Sequence, residues 1–468
     1  MAMTARPSHK APRFASLLLL TLSVVGAVGC ADPRVGRRAA APKAAARSAV
    51  DPAAEYRRLM SRENGPFTKH HLQLFGGLAT GDYEAIAPSR PECTPADADG
   101  DSTCEVRLAL GSAPDGDADD ILCFVDTTPR GPFGSVIAHR LAGAALVDMP
   151  QFAVTKVGEG VTVEFVADWV KHAEDVNTVG TLKVASFFSQ GYSATCSDVR
   201  AGGRKTFTRV VGDLFRSLKF APNPRRPAFM TAAYDLRQGD RSYGFRYGLI
   251  EKRASGKPGS AELDFSFRLQ TDGKSWHTMD NSLLVTRDAA GTVDLYRHAF
   301  SGGDKTVAVL SAKPSEDRKF RLKVERGDKS DALESTPKAP LTTELWSAAE
   351  FAKVARGARP AYRYAVLGIN DSGEPAFKYI SITRSSADVL LEEEESDKNR
   401  EKGLDGSLKD ELYVLADGSV TKEVSTDSVS QRILTWGKLP SNGAMTAAQD
   451  GDRKAAKDVR TGGKGKSR

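Results

Sequence analysis

The chain has 468 residues, of which 40% are hydrophobic and 27% are charged. This length suffices for two or more domains, and the composition is that of a globular protein rather than a disordered or fibrous chain. Within the net charge of +6, residues 1–29 carry +3, residues 31–58 carry +4 and residues 441–468 carry +4, which leaves −5 on residues 59–440. The body is therefore mildly acidic, and we expect no nucleic-acid partner.

The chain begins with a basic segment that contains Arg6, Lys10 and Arg13, and an apolar run over residues 14–28 follows it. This pattern predicts a secretory signal peptide. The run has fifteen residues, fewer than the roughly 20 that a membrane-spanning helix needs. A cysteine, Cys30, stands directly after the run.

The junction Ala27-Val28-Gly29-Cys30 resembles the lipobox of bacterial lipoproteins. The resemblance implies that residues 1–29 are a signal peptide and that Cys30 is acylated, which makes the lipid bilayer a partner through Cys30. Because residue 31 is Ala rather than Asp, the expected location is the cell envelope, at the outer membrane. Ordinary secretion remains the alternative, since the residues before Cys30 also suit a general signal peptidase.

Composition divides the rest of the chain into four parts. Residues 30–54 are rich in Ala, Pro and Arg and are predicted to form a flexible tether. Two folded domains are predicted at residues 55–221 and 228–440, with Asn223-Pro224-Arg225-Arg226-Pro227 as the linker. Residues 441–468 are predicted to form a disordered basic tail.

The first domain is predicted to be an α+β unit in which an antiparallel sheet carries a C-terminal packing helix. Apolar residues on one helical stripe, from Phe207 to Leu218, predict this helix, after a first helix near residues 55–62. Runs rich in β-branched and aromatic residues predict the strands. These strands are Ile121–Asp126, Phe152–Lys156, Val161–Val170, Leu182–Phe188 and Tyr192–Ser197.

The second domain is predicted to be a large antiparallel sheet or half-barrel with one inserted helix, so the whole protein is β-rich. Ser347 and Glu350 have the spacing of a capping box at the start of that helix, and Gly357 predicts its end. This layout, with the late strand-turn-strand at residues 412–420, resembles the lipoprotein-carrier proteins LolA and LolB. The resemblance implies an apolar ligand, held by inward-facing side chains.

Four cysteines remain after Cys30, and an even number in an exported chain predicts disulfides. The favoured pairs are Cys93 with Cys104, across a turn-rich loop, and Cys123 with Cys196, within two predicted strands. Buried free thiols are the alternative.

The acidic segment from Asp97 to Glu105 is the strongest candidate for a metal site. Asp97, Asp99 and Asp101 stand at alternate positions, as in loops that direct carboxylate oxygens to Ca²⁺. The alternative is a solvated loop closed by a disulfide. Glu392–Glu395 begin a charged run that is predicted to be an exposed loop.

The sequence contains none of the common catalytic or zinc-binding motifs, such as Gly-x-Ser-x-Gly or His-Glu-x-x-His. The main hypothesis is a non-catalytic, membrane-anchored envelope lipoprotein with a structural or binding role, whose partner is an envelope protein. The alternatives are a carrier of an apolar ligand or lipid, and an enzyme whose site is not visible in the sequence.

Overall fold

The computed structural model describes residues 66–438 except 98–100, 113–117, 130–135, 138–139, 142–143, 148–149, 174–175, 254–257, 272–275, 303–304, 371, 396–408 and 426–429. The chain divides into two units, residues 1–50 and 51–468, and every described residue belongs to the second. Cys30, the tether, the helix predicted near residues 55–62 and the basic tail lie outside the described residues. No helix within the described residues is long and apolar enough to cross a membrane.

Two antiparallel sheets form the N-terminal part of the described chain. Sheet 1 has the order β1-β2-β11, and sheet 2 has the order β3-β4-β5-β10-β9-β8-β6, with β7 also paired to β8. The strands are β1 (Thr68–Leu74), β2 (Ala79–Ala85), β3 (Glu92–Cys93), β4 (Thr103–Ser112), β5 (Ala118–Asp126), β6 (Ala145–Leu146), β7 (Gln151–Val157), β8 (Gly160–Ala173), β9 (Val176–Ser189), β10 (Tyr192–Asp198) and β11 (Lys219–Phe220).

The predicted packing helix is present as α1 (Arg204–Ser217). Its buried residues, which include Phe207, Val211 and Phe215, share one hydrophobic core with residues of both sheets, such as Leu72 and Ile121. The apolar stripe read from the sequence is therefore the face that packs on the sheets. The α+β architecture predicted for this part of the chain is confirmed.

Sheet 3 is a large antiparallel sheet, as the sequence predicted, and it has fourteen described strands. Its order is β19-β18-β17-β16-β15-β14-β13-β12-β25-β24-β23-β22-β21-β20. The strands are β12 (Ala228–Gln238), β13 (Arg241–Lys252), β14 (Ser260–Thr271), β15 (Trp276–Arg287), β16 (Val293–Gly302), β17 (Lys305–Pro314), β18 (Phe320–Arg326), β19 (Lys329–Ser335), β20 (Ala361–Ile369), β21 (Pro375–Arg384), β22 (Val389–Glu395), β23 (Asp410–Val414), β24 (Val420–Val424) and β25 (Ser430–Lys438).

This order consists of two meanders, and the first strand of one pairs with the last strand of the other at the centre of the sheet. Strands β12 to β19 follow one another across the sheet, and strands β20 to β25 do the same. The first and last strands then pair antiparallel, with Thr231 opposite Lys438 and Gln238 opposite Ser430. A pairing between residues two hundred positions apart thus forms the centre of the sheet.

The two ends of sheet 3 overlap instead of pairing edge to edge. On one face of β20, Tyr362 and Tyr364 share a core with helix α2 (Ala348–Ala355). On the other face, Ala365 and Leu367 share a core with residues of β15 to β18, such as Leu310. The sheet is therefore rolled so that β20 and β21 lie against the inner face of the opposite end.

Sheets 2 and 3 pack face to face through aromatic residues. Phe188 of β9 lies 5.1 Å from Tyr247 and 5.6 Å from Phe245, measured between ring centroids. These residues belong to one buried core that includes Phe165 and Phe267. Residues on either side of the predicted linker therefore share this core.

The inserted helix is present, but its predicted capping box is wrong. A 3₁₀ turn over Leu345–Ser347 precedes α2, and the side chain of Ser347 makes no capping bond. The backbone N–H of Ser347 already donates to the carbonyl of Thr343, so Glu350 has no orphan donor to accept from. Thr343 supplies the cap instead, since its Oγ1 accepts from the N–H of Trp346 at 3.3 Å. The predicted stop at Gly357 is confirmed, with φ of +72°.

The prediction that Glu392–Glu395 form an exposed loop is also wrong. These residues complete β22 and pair with β21, with Glu392 opposite Ile382 and Glu395 opposite Tyr379. Arg363 donates to both carboxylate oxygens of Glu395, at 2.6 and 2.5 Å. An arginine from β20 thus pairs with one of the four carboxylates that the sequence alone assigns to solvent. Two further 3₁₀ turns lie at Phe75–Gly77 and Glu316–Arg318.

Candidate functional site

Both predicted disulfides are confirmed. Cys93 is bonded to Cys104, and Cys123 is bonded to Cys196. Cys123 and Cys196 stand opposite each other on β5 and β10, and both are fully buried. The second bridge therefore fastens two neighbouring strands inside the core of sheet 2.

The structure describes two of the three aspartates of the predicted calcium site. Asp99 lies outside the described residues, so this site stays a prediction. Asp97 Oδ1 accepts from the backbone N–H of Asp101 at 2.8 Å. Among the residues that the structure describes, no group of three His, Cys, Asp or Glu side chains could hold a metal ion.

Asp101 takes part in a cluster of ion pairs and hydrogen bonds that connects the acidic loop to the predicted linker. Its Oδ1 accepts from Arg226 and from Thr128. The guanidinium of Arg226, only 7% exposed, also lies 3.5 Å from Glu251 of β13. Burial raises the pKa of Glu251 to about 7, against the opposing charge of Arg226. This cluster thus connects residues of both predicted domains.

The inner side of sheet 3 holds a cluster of charged residues that we call the interior ion network. Its members are Arg246, Asp264, Glu344, Glu423 and Arg432. Arg246 donates to Asp264 through Nε and Nη2 and to Glu344 through Nη1, at 2.6 to 3.0 Å. Arg432 contacts Glu344 at 2.7 Å and Glu423 at 2.5 Å.

The interior ion network attaches the helix insertion to the sheet. Glu344 directly precedes the 3₁₀ turn before α2, and it joins arginines from β13 and β25. Both guanidiniums lie over the ring of Tyr234, at 5.9 and 4.9 Å from its centroid. Burial raises the pKa of Glu344 to about 7, although Arg246 acts in the opposite direction. Because these ion pairs connect several elements, we assign the network a structural role.

One concave site among the described residues is a cleft of about 510 Å³, which we call the β7 cleft. One wall is formed by residues 150–154, in and just before β7. The other wall is the end of the β12–β13 hairpin, where Asp235, Arg237 and residues 240–242 lie. The two walls therefore come from different sheets.

The polar side chains of the β7 cleft are incompletely satisfied. Asp235, which is 7% exposed, accepts from Ser242 through Oδ2 at 2.9 Å. Its Oδ2 also pairs with the Nε of Arg237 at 2.9 Å, whereas its Oδ1 has no hydrogen-bond partner in the described structure. Burial raises the pKa of Asp235 above its ordinary value, opposed by Ser242 and Arg237. The cleft thus holds an acceptor that a ligand could satisfy.

None of the functional-site residues predicted from the sequence lines the β7 cleft. Asp235 and Arg237 stand in a strand with ordinary alternation, and residues 150–154 approach them from another sheet. A local sequence pattern does not predict that residues of two different sheets will lie close together. The two predicted disulfides lie elsewhere in sheet 2, and Cys30 lies outside the described residues.

No family model matches the chain, and no curated protein matches it. One similar solved structure is the β-barrel-like protein of domain of unknown function DUF1849 from Brucella abortus. It is 16% identical over 45% of this chain and 97% of that chain, with a TM-score of 0.32. A DUF1089 family protein from Pseudomonas aeruginosa is 15% identical over 39% of this chain and 90% of that chain, with a TM-score of 0.23. At these scores, neither likeness supports an inference about function.

Proposed function

We propose that the chain is an extracytoplasmic lipoprotein of the bacterial envelope, anchored through acylated Cys30, and that its β-rich body acts by binding rather than by catalysis. The observation that carries the location is the pair of disulfides, because such bonds persist in oxidising compartments. The signal-peptide pattern before Cys30 supports the same location.

The binding role rests on the β7 cleft. The cleft opens at the surface, and among the described residues the Oδ1 of Asp235 in its wall has no hydrogen-bond partner. A concave site that is lined by a few polar groups is suited to recognising a ligand.

The structure offers less support for a carrier of an apolar ligand. Such a carrier needs an open apolar cavity inside the large sheet. The described interior of sheet 3 is occupied by α2, by the overlapping strand β20 and by the interior ion network. Transport of an apolar ligand therefore stays a prediction from the sequence.

Metabolic labelling with an alkynyl fatty acid tests the proposed anchor. We expect the full-length chain to be labelled and to sediment with membranes, and Cys30→Ser to be unlabelled and soluble in the periplasm. Ala31→Gly is the matched control, because it changes the neighbouring residue and keeps the thiol. Unlabelled wild-type chain, or labelling that persists in Cys30→Ser, would contradict the anchor.

A further inference from the structure

We propose that the β7 cleft binds an extended segment of a partner polypeptide, which adds to the free edge of β7 as a further strand. This inference specifies the binding role proposed above, and it does not depend on acylation of Cys30. It rests on the direction of the cleft, on the pairing of β7 and on the polar groups of the opposite wall.

The cleft runs along the lateral edge of β7 and not over one of its faces. It contacts consecutive residues from 150 to 154, of which Ala153 is exposed and Val154 is half-buried. Successive side chains of a strand point to opposite faces. A cavity that touches both sets must lie beside the strand, where a neighbouring strand would be placed.

Within the described part of the chain, strand pairing uses only one edge of β7. β7 pairs with β8 through a hairpin in which Val157 stands opposite Gly160, and within the described residues no strand pairs with its other edge. In an antiparallel hairpin, alternate residues bond to the partner strand, and those between them direct N–H and C=O groups outward. Such an edge is a template for β-strand addition by a peptide.

The opposite wall suits the dipoles of a peptide backbone. It contains two carboxylates, Asp235 and Asp240, and two guanidiniums, Arg237 and Arg241, so its charges balance. A balanced wall favours an uncharged, dipolar group over a free cation or anion. The Oδ1 of Asp235 has no hydrogen-bond partner among the described residues, and the N–H of a peptide group is the donor that it lacks.

The test uses a phage-displayed library of random 12-residue peptides, selected on the oxidised full-length chain. Enriched peptides are synthesised, and their affinities are measured by calorimetry for the wild type and two variants. Ala153→Lys places a long charged side chain beside the cleft. Thr155→Lys is the matched control, because Thr155 is exposed on the same face of β7 but does not line the cleft.

We expect Ala153→Lys to weaken binding about tenfold or more, and Thr155→Lys to leave it nearly unchanged. Methylation of the alternate peptide nitrogens that face β7 should abolish binding, whereas methylation of the intervening nitrogens, which face the opposite wall, should weaken binding much less. Failure to enrich any peptide, equal effects of the two variants, or insensitivity to methylation would overturn the proposal. Concentration-dependent dimerisation that Ala153→Lys prevents would also overturn it, and would assign the edge to a second copy. The acylation experiment is unaffected by any of these results.

Discussion

At the scale of single residues, Arg432 shows how much depends on a buried charge. Its side chain is 6% exposed, contacts Glu344 and Glu423, and covers the ring of Tyr234. Removing one partner of a buried ion pair leaves the other charge without compensation, which typically costs about 3–5 kcal/mol. Arg432 is therefore the position of the interior ion network where a substitution is most informative.

We expect Arg432→Met to lower the free energy of unfolding by about 3–5 kcal/mol at pH 8. The loss should be smaller at pH 5, because the two carboxyl groups can then be protonated. Urea unfolding at both values measures it. Arg359→Met is the control, since Arg359 also pairs with a carboxylate and covers a tyrosine ring, but is 46% exposed. An exposed pair contributes about 1 kcal/mol or less, so equal losses in the two variants would refute a special role for the network.

Asp280 provides a separate test of pH dependence. Burial raises its pKa from the ordinary value of 3.8 to about 7. Between these values the folded state binds more protons than the unfolded state, so the contribution of Asp280 to stability falls as the pH rises towards 7. The slope for one such group is at most about 1.4 kcal/mol per pH unit.

Asp280→Asn removes this titration without changing the shape of the side chain. We expect the variant to gain stability relative to the wild type between pH 5 and pH 8, as measured by urea unfolding at each pH. A difference that stays constant over this range would show that Asp280 is already ionised at pH 5 in the folded protein.

At the scale of elements, the start of α2 separates what the sequence predicts from what the structure shows. The sequence places the cap at Ser347, whereas Thr343 accepts the capping bond and also donates to Glu262 Oε2 at 2.6 Å. Ser347 Oγ instead donates back to the carbonyl of Thr343 at 2.6 Å and lies 3.5 Å from the hydroxyl of Tyr362. Losing a cap costs about 1 kcal/mol, and a buried carboxylate without its donor costs more.

Thr343→Val should therefore destabilise the protein by about 2 kcal/mol or more, the sum of a lost cap and an unsatisfied carboxylate. Ser347→Ala should cost well under half of that, because the Thr343 carbonyl keeps the N–H of Ser347 as a donor and the contact with Tyr362 is long, at 3.5 Å. Thermal unfolding of both variants measures the difference. A larger loss of stability in Ser347→Ala than in Thr343→Val would contradict this assignment and would identify Ser347 as the cap.

The two disulfides should differ in their susceptibility to reduction. Cys93 is exposed, whereas Cys123 and Cys196 are fully buried. Brief treatment with dithiothreitol followed by alkylation and peptide mass mapping should modify Cys93 and Cys104 first. Loop entropy predicts losses of about 3 kcal/mol for removing the first bridge and about 4 kcal/mol for the second, whose sequence separations are 11 and 73. Simultaneous alkylation of all four cysteines would contradict this order.

The sequence predicts the secondary-structure elements better than it predicts the tertiary contacts between them. Alternation and turn residues indicate most strands of sheet 3, because at least one face of each of these strands is mostly apolar. They miss β19 and β22, whose polar residues resemble those of loops. The interior ion network is invisible because Arg246 and Arg432 are 98 and 88 residues from Glu344. The β7 cleft is invisible for the same reason, since each wall has an ordinary local sequence.

At the scale of the whole molecule, the protection of the backbone should follow the position of each strand in the roll. β12 and β13 are central and are mostly buried on both faces, whereas β19 is an end strand and mostly exposed. Local opening costs least where contacts are fewest. Hydrogen exchange followed by mass spectrometry should show the slowest exchange in β12 and β13 and the fastest in β19. Uniform exchange across the sheet would contradict this dependence of backbone protection on strand position.

Closure by overlap has a consequence for how this architecture can vary in size. A sheet that closes edge to edge must bring its first and last strands into register, which ties its girth to strand number and shear. Here the ends meet through side chains of β20 and of the strands that face it, such as Leu367 and Leu322. An extra hairpin after β19 would lengthen the overlap and leave the pairing of β12 with β25 undisturbed. Proteins built on this plan can therefore gain or lose strands at that end without redesigning the rest.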